Sequence, residues 1–157
     1  MPEPLVDAVI EDARWEALGL EALAERAARA ALEGAGRAVA GCEISLLAAD
    51  DARVAALNAA YRGKAAPTNV LSWPSDETEP DPDGALFLGD IALAWETCMA
   101  EAEAGGLPPS DHVTHLMVHG VLHLLGYDHE VEAEAEAMEA LETKILAGLG
   151  VPDPYRG

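Results

Sequence analysis

The sequence predicts a single α/β (α+β) domain over residues 1–157, with a small mixed β-sheet packed with helices. Three observations predict it. The chain has 157 residues, enough for one real core and too few for two comfortable ones. Half of the residues are hydrophobic, and no low-complexity tail, linker or internal repeat interrupts them. Segments of strand character alternate with segments of helical periodicity along the whole length.

Leu5 to Glu11 is a short apolar run carrying β-branched Val6, Val9 and Ile10, and predicts a strand. Trp15 to Leu32 has helical spacing. Leu20, Leu23, Ala24, Ala27 and Ala31 share one side, Glu21, Glu25 and Arg29 the other, and Gly34 and Gly36 end it. Cys42 to Ala48 predicts a second strand. Asp50 can cap a helix running to about Tyr61, with Val54, Leu57 and Tyr61 on one face. Asn69 to Trp73 predicts a strand closed by Pro74, and the acidic, proline-bearing run Ser75 to Gly84 a solvated loop. Leu86 to Trp95 predicts a strand in which Gly89-Asp90 marks a bulge or a close backbone approach. Glu96 to Ala104 is helical and stops at Gly105-Gly106. After Pro108-Pro109, Ser110 can cap a helix from Asp111 to about Leu125, ended by Gly126. Glu130 to Leu149 predicts the last helix, with Met138, Leu141, Ile145 and Leu149 on one face and many glutamates on the other.

Composition excludes several classes of function. The formal net charge is −20, from 9 Lys and Arg against 29 Asp and Glu, which argues against a general nucleic-acid binder. Two cysteines, Cys42 and Cys98, are too few for a disulfide framework and are expected as small buried hydrophobes. No stretch is long and apolar enough to cross a membrane. The N-terminus, MPEPLVDAVIEDARW, lacks the basic and apolar regions of a signal peptide, so a cytoplasmic protein is expected. Trp15, Trp73 and Trp95 are expected to fill the core.

All five histidines lie between His112 and His129, and three of them fall in HGVLHLLGYDH. Residues four apart sit one above the other on a helix, so His119 and His123 present two imidazoles from one face. Gly126 can take the left-handed conformation that ends a helix, and the chain can turn back to bring His129 to the same ion. Three neutral imidazoles and a water form a common catalytic zinc arrangement. The metal site is therefore expected on a central helix and its following loop. His119, His123, Gly126 and His129 also fall in register with the metzincin pattern HExxHxxGxxH, but Gly120 stands where the peptidase has its general base. His115, one turn before His119, is expected beside the site rather than as a fourth ligand, and His112 on the surface. Asp128 reads as a turn former or as a partner of a ligating imidazole.

HGVLHLLGYDH resembles the signature HGxLHLxGYDH of the YbeY family of bacterial endoribonucleases, rRNA maturation factors, and fits it at every fixed position. LNAAYRGKAAPTNVLSWP, Leu57 to Pro74, is similar to the family's LNxxxR…PTDVLSFP, and Leu88 to Ile91 (LGDI) also matches. These blocks span about residues 40–130. The resemblance implies an α/β fold and a single-strand-specific, metal-dependent endoribonuclease acting in 16S rRNA 3′-end maturation and ribosome quality control. It implies one Zn2+ ion on His119, His123 and His129, although other divalent metals can fill such a site. It implies single-stranded RNA, 16S rRNA and the ribosome or its proteins as partners, with no membrane. The family's important arginine falls on Arg62. Asn69 replaces the usual Asp and Trp73 the usual Phe. The first change removes a charge and puts any proton-transfer role of that carboxylate in question.

Phosphodiester cleavage needs a nucleophile, charge stabilisation and a proton for the leaving oxygen. Zinc lowers the pKa of a coordinated water from about 16 to about 7. Arg62 is then the expected catalytic phosphate clamp, and Lys64 a residue that steers the RNA backbone. Basic groups are expected to cluster around Arg62 and Lys64, with glutamates on the far helices. Two other readings remain open: a peptidase-like metal hydrolase, and a non-catalytic ribosome-associated module in which zinc ties the loop to the helix.

Overall fold

The computed structural model describes residues 5–62, 68–76, 85–127 and 132–154. Its strands are β1 (Val6–Ile10), β2 (Cys42–Ala49), β3 (Val70–Pro74) and β4 (Leu86–Ala94). They form one sheet in the order β1-β2-β4-β3. β1, β2 and β4 are parallel, and β3 runs antiparallel to β4, giving the expected small mixed sheet.

The period-two pattern of the strands makes two apolar layers. Ile44, Leu46, Ile91 and Leu93 belong to the larger core, together with helices α2 (Leu20–Gly34) and α5 (Pro109–Leu124). Leu71, Ala92 and Ala94 form a smaller layer with Val54 of α3 (Asp51–Arg62). Two further helices, α4 (Trp95–Ala104) and α6 (Glu132–Gly148), flank α5. The expected irregularity at Gly89 is a bulge. Glu43 pairs with Phe87 and Ile44 with Gly89, so Leu88 is the extra residue. Gly89 has φ 146°, and a Cβ there would stand 2.3 Å from the Trp73 carbonyl oxygen, so the position admits only glycine.

Three expectations are corrected. The helix expected over Trp15 to Leu32 is two, α1 (Arg14–Ala17) and α2, separated at Gly19 with φ 71°. The break turns Trp15 beneath the sheet, where it is fully buried and its indole Nε1 donates to the Ala49 carbonyl at 2.9 Å. Apolar spacing continues through Gly19, so periodicity hides the break. Ser110 does not cap α5. The helix starts at Pro109 behind Pro108, and the Ser110 carbonyl instead accepts a bond from Thr114 Oγ1 at 2.7 Å. Asp50 does cap α3, accepting from the Arg53 amide at 2.8 Å. Finally, Cys42 is only half-buried, whereas Cys98 is buried and its thiol is pushed up to about 12, chiefly by burial.

Among the described residues no helix is long and apolar enough to cross a membrane.

Candidate metal centre

α5 is buried along most of its length, and from residue 112 to 124 its open side is made of histidine. From residue 112 to 124 every other side is buried, including Val113, Met117, Val118, Val121 and Leu122. His112, His115, His119 and His123 are each partly exposed. Steps of three, four and four residues keep them on one side of the helix. Their rings succeed one another at centroid distances of 6.5, 6.3 and 4.7 Å. The shortest step joins His119 and His123, the two expected ligands.

The helix ends as its glycine predicts. Gly126 takes φ 100°, its amide donates to the His123 carbonyl at 3.0 Å, and the Tyr127 amide donates to the Leu122 carbonyl at 3.1 Å. This pair of bonds is a Schellman motif. Asp128 and His129 lie outside the described residues, as does Lys64; Arg62 is the last residue of α3, and its side chain is also outside them. Among the described residues no three His, Cys, Asp or Glu side chains converge as a complete metal set.

Gly120 lies on the opposite, buried side of α5. A Cβ there would stand 3.2 Å from Ile91 Cδ1 on β4. A glutamate at this position would start inside apolar helix–sheet packing.

The structure adds a residue that the sequence analysis missed. Glu142 of α6 is fully buried, and its Oε1 is hydrogen-bonded to His119 Nδ1. Its other carboxylate oxygen lies 3.8 Å from His115 Nε2, within ion-pair range but beyond a hydrogen bond. A signal existed. Glu142 is four residues after Met138 and three before Ile145, both buried, and so sits on the apolar face of its helix. The many glutamates on the other face of the helix hide it.

His112 is also corrected. Its side chain is only 11 % exposed, and Nε2 meets Glu101 Oε1 of α4 at 2.9 Å. The same oxygen accepts from the Asn69 amide at 3.0 Å. Asn69 therefore ties the start of β3 to α4 through a carboxylate, a contact that an Asp at this position would turn into repulsion.

Three arginines elsewhere are engaged with the chain's own acids. Arg14 pairs with Asp12 at 2.6 Å, Arg29 with Glu25 at 2.6 Å and Arg53 with Glu11 at 3.4 Å. A separate hollow of about 470 Å3 opens on the α3 side of the sheet, lined among others by Val9, Ser45, Leu57, Trp73 and Asp90. Trp73 is thus only partly a core residue. Partial burial pushes the Asp90 carboxyl above its ordinary value.

Comparison with known proteins gives one consistent result. The family model described as Endoribonuclease YbeY matches residues 9–150. A protein named Endoribonuclease YbeY from Cereibacter sphaeroides is 57 % identical, covering 98 % of this chain and 99 % of its own. The protein of that name from Paracoccus denitrificans is 54 % identical, covering 99 % and 91 %. Among solved structures, that of TM1509 from Thermotoga maritima superposes with a TM-score of 0.56 at 20 % identity, covering 97 % of this chain and 99 % of the other, and supports the fold.

Proposed function

The chain belongs to the Endoribonuclease YbeY family and is an RNA endonuclease, and from that premise we propose that it cuts single-stranded RNA with one zinc ion on His119, His123 and His129. The substrate we propose is the 3′ region of 16S rRNA, with a further part in ribosome quality control.

One observation carries the metal reading. His119 and His123 are adjacent rings on the open stripe that α5 shows between residues 112 and 124, and the Nδ1 of His119 is bonded to Glu142. An ion on this ring would be taken by Nε2, and a histidine backed by a carboxylate is a frequent zinc ligand. Imidazoles without cysteine suit a catalytic rather than a closed structural site. When bound, zinc supplies an activated water and a Lewis-acid contact to a phosphoryl oxygen. The helix holds the two imidazoles in a fixed orientation. Arg62 neutralises charge on the phosphoryl oxygens and Lys64 guides the backbone. The peptidase alternative lacks its base, because residue 120 faces Ile91 and carries no side chain.

The charge of −20 fits a protein that is delivered to its RNA. Arg14, Arg29 and Arg53 are held by acidic neighbours, which draws them away from phosphate. We propose the ribosome or one of its proteins as the partner that brings the substrate.

The test is cleavage of a labelled single-stranded RNA by the full chain, with zinc content measured in parallel. Wild type should cut. His123→Ala should lose zinc and cutting together. Arg62→Ala should keep zinc and lose about 100- to 1,000-fold in rate. Cutting by a zinc-free His123→Ala protein would overturn the metal reading.

A further inference from the structure

Glu142 is costly where it stands. A carboxylate with no exposed surface on the apolar face of α6, between Met138 and Ile145, gives up its hydration, and a leucine would pack there without that loss. Its placement therefore asks what it holds. An ionised carboxylate only accepts hydrogen bonds, so the His119 nitrogen facing it must carry a hydrogen. A neutral imidazole has one N–H and one lone pair, so the Nδ1–H form puts the lone pair on Nε2. His115 approaches the same carboxylate with its Nε2, which turns that nitrogen toward Glu142 and not toward a metal.

We propose that Glu142 is a positioning residue: its buried carboxylate fixes His119 in the Nδ1–H tautomer, aims Nε2 at the ion, and makes the docking of α6 part of the metal site. This rests on the zinc reading given above. As a positioning residue, Glu142 acts on the ion through His119. Residues 119 and 142 lie on different helices, α5 and α6, so the ligand is ordered only when the last helix is in place.

The test uses the full chain as wild type, Glu142→Leu and Glu142→Gln, with folding checked by circular dichroism. In metal-free protein, long-range 1H–15N NMR reads which His119 nitrogen carries the proton. Wild type should show Nδ1–H, and Glu142→Leu a mixture richer in Nε2–H. Zinc affinity, measured by competition with a chelating dye, should fall about 10- to 100-fold in Glu142→Leu. It should fall less in Glu142→Gln, whose amide oxygen can still accept. Glu142→Gln has the same shape and carries the test should the leucine variant not fold. An unchanged tautomer in folded Glu142→Leu, or zinc affinity unchanged in both variants, would overturn the proposal. A wild type that takes up no zinc, while its tautomer still follows residue 142, would overturn the zinc reading and uphold the hold on His119.

Discussion

α5 carries two histidine–glutamate pairs a few turns apart, and they differ in one respect. His119 meets Glu142, whose side chain is 0 % exposed; His112 meets Glu101, whose side chain is 42 % exposed. The chemistry is the same and the solvent is not. Glu101 stays open to water, so the pair is a tether joining α4, α5 and, through Asn69, β3. Around Glu142 no water competes, so the geometry of the pair is fixed and can orient a ring. Burial, rather than residue identity, separates a structural contact from one able to position a ligand.

The largest expected difference is in stability. His119→Ala removes a donor from a buried carboxylate and should cost about 1–3 kcal/mol. His112→Ala leaves Glu101 to water and should cost less than about 1 kcal/mol. Urea denaturation of both variants decides it, and equal losses would break the comparison. Salt sharpens it: 1 M NaCl should narrow the His112→Ala difference and leave the His119→Ala difference nearly intact.

A smaller effect is expected at Asn69. Asn69→Asp would set a second carboxylate beside Glu101, where the amide nitrogen now lies at 3.0 Å. The expected loss is about 0.5 kcal/mol at low salt, and the double variant Asn69→Asp with Glu101→Gln should restore it. A lack of coupling in this double-mutant cycle would remove the tether role from Glu101.

The smallest effect belongs to a carboxylate between these extremes. Glu25 accepts from the amides of Leu5 at 3.0 Å and Val6 at 2.9 Å and from Arg29 at 2.6 Å. Burial, the largest single influence, pushes its pKa up, but the bonds from Val6, Leu5 and Arg29 together hold it below the ordinary 4.5. A lowered folded pKa contributes stability above pH 4.5 that is lost as pH falls through the folded value. Denaturation midpoints measured below pH 4.5 should therefore fall less steeply for Glu25→Gln than for wild type. Identical slopes would assign acid sensitivity to other groups.

Much of this could be read from the chain. Local signals placed β1 to β4 to within a residue or two, because alternation and turn residues act over short distances. The histidine spacing named the open stripe of α5, and Gly126 named its end. The break at Gly19 escaped because the apolar face runs on through it. Glu142 escaped because a heavily acidic helix offers many glutamates, and only its phase against Met138 and Ile145 sets this one apart.

The sequence by itself determined the mixed-sheet domain, the family, and the pair His119 and His123, since each depends on spacing along one segment. Tertiary structure alone decided that Glu142 backs His119 across 23 residues, that Glu101 joins His112 to Asn69, and that Gly120 lies against Ile91. Those contacts join separate elements. Their strength depends on how much water packing excludes, which no local pattern of residues encodes.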